Sequence, residues 1–522
     1  MASFLGDRAA ASWLDGQPKR KTGAEKYWKI SMSTEDVAIS DLMSVSRVAF
    51  GTSGARGLVR DMTDRVCAAY TLGFLNYMDR AYHGPRKLAV GGDRRPSTRR
   101  IMTAIGYAAH AAGYELVNLG ELPSPAVALY GLDEQCPTVM VTGSHIPADR
   151  NGMKYTTLHG EFSKLDEARM LSERVVIPAA FDEEGRLSEP FELGPPLALA
   201  KTRYLERYLK ALPKRCLVGQ RIGVYGHSSV ARELLVELYE AFGAHVLPFA
   251  FSDEFIPVDT EAIRAEDVTI ARAFAAENRV DAIVSTDGDA DRPLISDEAG
   301  EWFRGDVAGI LTAQYLNADG VACPVSCNTA LEEGGYFAET LRTRIGSPFV
   351  IEGMGALRGR GRERVVGYEA NGGFLTASAL PIPDGDVLPA LATRDPVVVH
   401  LALLQSAQRK RLSLSQLRAT LPARFTASDR DTRFTTERSK SLLALLRAQP
   451  LSQLAHSLEL GPLSLVDETD GFRMHFSNRE VLHFRPSGNA PELRCYAEAS
   501  SSARAESLVQ HGLEKARALF PA

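Results

Sequence analysis

Three times in this chain a short apolar strand begins a run of helix, glycine turn and further strand, and that rhythm constrains the fold more than any other feature. Lys87–Gly91 (KLAVG) reads as a strand, Ser97–Ala112 has helical spacing through Ile101, Ile105 and Ala108, and Gly113 leads into a strand at Leu116–Leu119. A second unit runs from Arg221–Gly226 (RIGVYG) through a helix at Val230–Phe242 to Gly243 and the strand HVLPF; a third begins at Val280 with VDAIVST. Strands alternating with helices across glycine turns predict open, mostly parallel sheets. The tail departs from this pattern. Gly471–Phe476, Val481–Arg485 and Glu492–Glu498 alternate like antiparallel strands, and Ala503–Leu519 closes as a helix. The expected fold is therefore α/β: three similar units plus a smaller α+β C-terminal domain, with boundaries at Pro190–Leu197 and near Asn317–Pro324.

At 522 residues the chain exceeds what one core can organise, and roughly three or four domains are expected. Residues 1–40 are polar and irregular, with a basic cluster at Lys19–Lys21, and read as a terminal arm. A net charge of −5 argues against a surface built for nucleic acid. The longest apolar run, Val397–Leu404, includes His400 and is far short of the ~20 residues a membrane helix needs. The first residues lack the basic start and long apolar middle of a secretory signal. The six cysteines are scattered, and Cys323 and Cys327 form a CxxxC with no second pair to complete a zinc site. Reduced, buried thiols and a cytoplasmic location are the expectation.

Chemistry concentrates in five loops. VTGSHIPADRNGMK (Val141–Lys154) follows a strand and offers a hydroxyl at Ser144, an imidazole at His145 and an amine at Lys154, with small residues that let a phosphorylated group approach. A serine hydroxyl needs a base or cation beside it to act as a nucleophile; the plainer reading is a polar loop in which Ser144 and His145 cap turns. DGDADR (Asp287–Arg292) follows the apolar strand Ala282–Ser285, and its three alternate carboxylates can converge on a hard cation such as magnesium. An EF-hand also begins D-x-D-x-D, but Arg292 stands where that loop requires glycine, and a strand rather than a helix precedes it. An aspartyl-nucleophile phosphatase would leave the serine loop without a role. FRPSGNAPELR (Phe484–Arg494) sets Arg485 and Arg494 around a Ser-Gly-Asn turn that can grip phosphate, or is an ordinary hairpin with solvated arginines. FGTSGARG (Phe50–Gly57) presents Arg56 from a glycine-rich loop. GYEANGG (Gly367–Gly373) presents Glu369 and Asn371, suited to adjacent sugar hydroxyls, although NGG is also a turn signal.

In this order and spacing the five motifs resemble the α-D-phosphohexomutase family, from about Phe50 to the C-terminus. The resemblance implies four domains around a central cleft, divided here as an arm (1–40), a phosphoserine-loop domain (41–195), a metal-loop domain (196–318), a sugar-recognition domain (319–425) and a C-terminal phosphate-binding domain (426–522). It implies that Ser144 is the phosphorylated nucleophile and shares a Mg2+ with Asp287, Asp289 and Asp291. Lys154 would be the general acid/base, with His145 and Arg56 completing the catalytic group. Arg292 would lie near the transferring phosphoryl group, Glu369 and Asn371 would hold the sugar, and Arg485, Ser487, Gly488, Asn489 and Arg494 the other phosphate.

The implied reaction moves phosphate between C6 and C1 of a hexose through a hexose 1,6-bisphosphate, which also serves as activator, in a monomer or homodimer. The loops GSHIPADRNG and YEANGGF are more similar to those of bacterial enzymes acting on mannose phosphates, so mannose is expected ahead of glucose, and glucosamine third. A silent sugar-phosphate-binding relative or a sugar phosphatase are the readings from other classes. One departure stands out. Many relatives read glutamate-x-serine-glycine-histidine in the sugar loop; this chain reads Glu369-Ala370-Asn371-Gly372-Gly373. The histidine that can assist proton transfer is absent.

Overall fold

A computed structural model describes residues 35–51, 54–448, 451–487 and 492–519, apart from the side chain of Gln453. The basic cluster at Lys19–Lys21 and the candidate residues Gly488 and Asn489 lie outside the described residues.

The sheets repeat one design three times. In the first, strand Lys87–Gly92 lies between the parallel strands Glu115–Glu121 and Thr138–Val141, and Arg150–Thr157 returns antiparallel beside Thr138–Val141. In the second, Arg221–His227 lies between His245–Phe251 and Ala282–Thr286, and Pro293–Ser296 returns antiparallel. In the third, Gly320–Pro324 lies between Glu339–Thr343 and Val365–Tyr368, and Phe374–Thr376 returns antiparallel. The first sheet continues past its returning strand through Ala55–Leu58 and Ala49–Phe50. The fourth is a five-stranded antiparallel sheet, in spatial order Phe425–Asp431, Leu493–Ala499, Val481–Pro486, Phe472–Phe476, Leu463–Asp467, backed by helix Ser502–Leu519. The α/β expectation with an antiparallel tail is what the chain adopts. Strand Gly320–Pro324, an inner strand of the third sheet, begins within the stretch Asn317–Pro324.

The arm read over residues 1–40 is shorter at its C-terminal side. Glu35–Ala38 pairs antiparallel with Arg174–Ile177, and Ile39 opens a helix and is fully buried. A four-residue edge strand whose partner lies some 140 positions away leaves little periodicity in the sequence.

One large core ties the first three sheets together. Helix Pro396–Lys410 sits in it with every residue from Pro396 to Ala407 buried, so the apolar run Val397–Leu404 is a core helix. Its start is fixed by Asp395, whose carboxylate accepts from Val397 N and from the hydroxyls of Tyr204 and Tyr208 on helix Leu199–Ala211. This cap anchors the backbone beside Arg394. The C-terminal sheet has its own core. All six cysteines are free and buried.

Candidate active site

The turn between the third and fourth strand of each α/β unit is one of the loops singled out above. Residues 142–149 carry Ser144, 287–292 carry the three aspartates, and 369–373 carry Glu369 and Asn371. Equivalent positions in three linked sheets bring these loops to one place.

Ser144 adopts a positive φ of 54° and is almost fully buried. The strained backbone is held by Arg95, whose guanidinium donates to the carbonyls of Ser144 (2.8 Å), Ile146 (2.6 Å), Pro147 (2.7 Å) and Arg150 (2.9 Å). Asp93 steadies Arg95 and accepts from Thr142 Oγ1 at 2.7 Å, while Thr142 Oγ1 accepts from Ser144 N. Gly143 is obligatory here, since a Cβ would stand 2.6 Å from Arg95 Cζ. Arg95 and Asp93 belong to the site, although neither lies in the five loops singled out above.

The Ser144 hydroxyl donates to Asp287 Oδ2 at 2.6 Å and lies 3.2 Å from His145 Nδ1. Arg292 Nη1 donates to the same His145 nitrogen at 3.0 Å. Burial, reinforced by Arg292, holds the His145 pKa down to about 3. His145 is thus neutral, with Nδ1 as acceptor, and Asp287 rather than His145 takes the serine proton contact.

Asp287, Asp289 and Asp291 are buried, and a ligand oxygen from each lies within 4.8 Å of the other two. Burial, together with Asp289 and Asp291, pushes Asp287 well above the ordinary carboxylate range. Burial raises Asp289 and Asp291 as well but is outweighed by cations, Lys154 at Asp289 and Arg394 at Asp291, which hold both below that range. Lys154 Nζ donates to Asp289 Oδ2 at 2.5 Å and to Asp291 Oδ2 at 2.6 Å; Ser124 Oγ donates to Asp289 Oδ2 at 2.6 Å. Arg394 Nη2 lies 2.8 Å from Asp291 Oδ2. In both aspartates the protein occupies Oδ2, while the buried Oδ1 has no hydrogen-bond partner among the described residues. Two orphaned carboxylate oxygens beside a serine hydroxyl fit a hard divalent cation.

Around the triad, Arg292 Nε lies 3.9 Å from Asp287 and 3.7 Å from Asp291. Arg56 is close enough to Arg292 and Arg394 that burial and their charge lower its pKa to about 10. In the sugar loop, Glu369 faces Arg394 Nη1 at 3.4 Å, and its pKa is raised by burial. Asn371 turns its Oδ1 onto Gly373 N, and its carbonyl accepts from Thr260 Oγ1 at 2.6 Å.

Ser487, Arg485 and Arg494 belong to the separate C-terminal sheet. Arg485 pairs with Asp470 at 2.9 Å, and Arg494 with Glu492 at 3.0 Å. Arg494 and Arg304 also act on Glu261, whose pKa burial raises, and Glu261 adjoins Thr260 and Asp259. Asp259 Oδ2 lies 4.0 Å from His145 Nε2, so one short loop links Arg494 of the C-terminal sheet to the serine loop. Arg394, Ser124 and this acidic loop lie outside the five motifs and carry no sequence signature of their own.

Comparison with known proteins places this geometry in context. Two family models match: "Phosphoglucomutase/phosphomannomutase, alpha/beta/alpha domain I" over residues 47–175, and domain III of the same set over residues 304–425. A phosphomannomutase of Salmonella muenchen is 41% identical over 471 residues, covering 90% of this chain and 96% of its own. One of Sinorhizobium fredii is 41% identical over 470 residues, covering 89% and 98%. The crystal structure of a phosphoglucomutase/phosphomannomutase family protein from Burkholderia thailandensis shares the fold, with a TM-score of 0.66 at 19% identity over 90% of this chain and 98% of that one. No helix among the described residues is long and apolar enough to cross a membrane.

Proposed function

The chain belongs to the phosphoglucomutase/phosphomannomutase family, and from that premise we propose that it interconverts mannose 6-phosphate and mannose 1-phosphate through a phosphorylated Ser144 and a hexose 1,6-bisphosphate. The observation that carries this reading is the Ser144 hydroxyl, 2.6 Å from Asp287, beside two buried carboxylates that each keep one oxygen unpartnered. Mannose is preferred over glucose because both relatives at 41% identity are phosphomannomutases.

The reading assigns Mg2+ to the Oδ1 atoms of Asp289 and Asp291 with Asp287 and the Ser144 oxygen. When bound it compensates charge on the phosphoryl oxygens. The remaining work falls to the chain. Arg292 and Arg56, both partly buried with an Nε that makes no hydrogen bond among the described residues, face the transferring group with guanidinium donors. In the first half-reaction the bond from phosphorus to Ser144 Oγ breaks and one to the free sugar hydroxyl forms. Lys154 gives a proton to Ser144 Oγ and takes the proton of the sugar hydroxyl, so the ammonium is restored. The bisphosphate then turns and returns its other phosphoryl group to Ser144 by the reverse of these steps. Arg485, Ser487, Gly488, Asn489 and Arg494 hold the phosphate that is not being transferred. Because Arg485 and Arg494 stand on the separate C-terminal sheet, the cleft can loosen for the turn.

The test is a coupled assay on mannose 1-phosphate and glucose 1-phosphate with Mg2+ and catalytic hexose 1,6-bisphosphate. Mannose 6-phosphate should appear without inorganic phosphate, kcat/KM should favour mannose, and Ser144→Ala should lose turnover. Release of inorganic phosphate alone, or full activity in Ser144→Ala, would overturn the reading.

A further inference from the structure

We propose that Arg394 is the positioning residue that fills the sugar-loop histidine's place in this chain, locking Glu369 to the metal loop; the proposal rests on the function proposed above. Three observations meet at one point.

The first is spatial. Gly373 stands where the family's loop pattern has histidine, and a Cβ built on it would lie 2.4 Å from Arg394 Cδ and 2.8 Å from Arg394 Cγ. The volume that a side chain at 373 would use is occupied by Arg394. Gly373 has no positive φ, so its backbone accepts other residues, and the obstruction is this neighbour together with Asn371 Oδ1 at 3.1 Å.

The second is the set of contacts. The Arg394 guanidinium reaches Asp291 Oδ2 at 2.8 Å and Glu369 Oε1 at 3.4 Å, and is buried, with only 5% of its side chain exposed. A residue of the sugar-recognition unit thereby holds a carboxylate of the metal loop and the carboxylate meant for the sugar. Both ends are fixed, so the middle of the side chain cannot swing away from position 373. The rigid planar fork of arginine suits two carboxylates at once, which a lysine point charge does not.

The third is the anchor. Asp395, the next residue, caps helix Pro396–Lys410 and accepts from two buried tyrosines, so the Arg394 backbone is set by the core. Arg394 Nε is buried without a hydrogen-bond partner. An arginine stays charged and cannot relay a proton. The exchange of histidine for arginine therefore replaces a titratable group by a fixed cation, leaving proton transfer to Lys154.

The experiment combines a double-mutant cycle with ligand titration. Arg394→Ala should raise KM for mannose 6-phosphate by about 30-fold or more, the range for truncating one partner of a buried charge pair, and should tighten Mg2+ binding, because a fixed cation beside Asp291 Oδ2 is removed. Arg394→Lys should recover only part of the loss. Gly373→Ala should lower the unfolding temperature in the wild-type background and leave it unchanged when Arg394 is already alanine. Gly373→His should likewise be tolerated only with Arg394→Ala, and should bring KM back toward the wild-type value. Additive effects of Gly373→Ala and Arg394→Ala on unfolding temperature would overturn the shared volume. Wild-type KM and Mg2+ affinity by calorimetry in a folded Arg394→Ala would overturn the positioning role. The thermal cycle and Mg2+ calorimetry need no turnover, so failure here is distinguishable from absence of mutase activity in the wild-type chain.

Discussion

Lys154→Met should tighten magnesium binding while abolishing catalysis, because Lys154 serves the site twice. Its ammonium donates at 2.5 and 2.6 Å to the Oδ2 atoms of Asp289 and Asp291, and only 12% of its side chain is exposed, so solvent screens the pair weakly. Breaking a buried pair by removing one partner costs about 3–5 kcal/mol, and the metal-free variant should unfold at clearly lower denaturant. Methionine keeps most of the volume, which limits the packing loss. Mg2+ should reverse that destabilisation. The unpartnered Oδ1 atoms belong to the same carboxylates that Lys154 holds, so the lysine repels any cation they take up. A unit charge about 5 Å from a divalent cation is repelled by roughly 7 kcal/mol at an effective dielectric near 20 and by roughly 2 kcal/mol at that of water, and the lower figure alone is equivalent to about 10-fold or more in affinity. Calorimetric titration with Mg2+ should therefore show binding ~10- to 100-fold tighter than wild type, and added Mg2+ should restore the denaturation midpoint. Turnover should fall at least ~100-fold with loss of the proton relay. Unchanged or weaker Mg2+ affinity in Lys154→Met would refute the placement of the cation beside this pair.

The other expectations are briefer. Arg95→Lys should cut kcat severely with little change in affinity for substrate, since a lysine cannot hold four carbonyls of the Ser144 loop at once; wild-type kcat would show that the loop holds itself. Asp289→Asn should raise the Mg2+ requirement sharply, and an unchanged requirement would move the cation elsewhere. His400 is fully buried against Tyr239, and burial lowers its pKa from 6.5 to about 3. A histidine depressed in the folded state favours folding above its unfolded pKa, and that contribution is lost as pH falls from about 6.5 toward 3. Its share should approach about 1.4 kcal/mol per pH unit within that window. Comparing wild type with His400→Gln by urea denaturation between pH 6 and 4.5 measures this, and equal slopes would contradict it.

Much of this was readable because it is local. Each chemical motif is a contiguous loop after a strand, and the strand–helix–glycine rhythm is set by neighbours in sequence. What escaped reading joins distant segments. Arg394 reaches Asp291 from more than 100 residues away, with only a TRDP string to mark it. Arg95 works through backbone carbonyls, which no side-chain pattern advertises. Glu35–Ala38 gains its strand character from Arg174–Ile177, so its own composition is uninformative. The run Val397–Leu404 is too short to span a membrane, and its β-branched start conceals a core helix that tertiary packing imposes.

The repeated topology explains why the site carries so much charge without coming apart. In each α/β unit the chemical loop is clamped at both ends by a register pair: Val141 with Met153, Thr286 with Pro293, Tyr368 with Phe374. Such short returns leave little freedom, so three carboxylates can be pressed together in the middle unit. The repulsion is offset from both sides, by Lys154 of the first unit and Arg394 of the third, with Arg292 alongside. The metal loop is therefore an electrostatic hub on which its neighbours close. Adding a phosphoryl group to Ser144 would bring about −1.5 to −2 charges to a hydroxyl that already touches Asp287, which Lys154, Arg394 and Arg292 cannot balance on top of three carboxylates. A divalent cation at the orphaned oxygens can. On the function proposed above, phosphorylation of Ser144 and cation binding should then favour one another, by linkage to the same degree in each direction: the phosphorylated chain should hold a divalent cation more tightly, and the cation should in turn stabilise the phosphoserine.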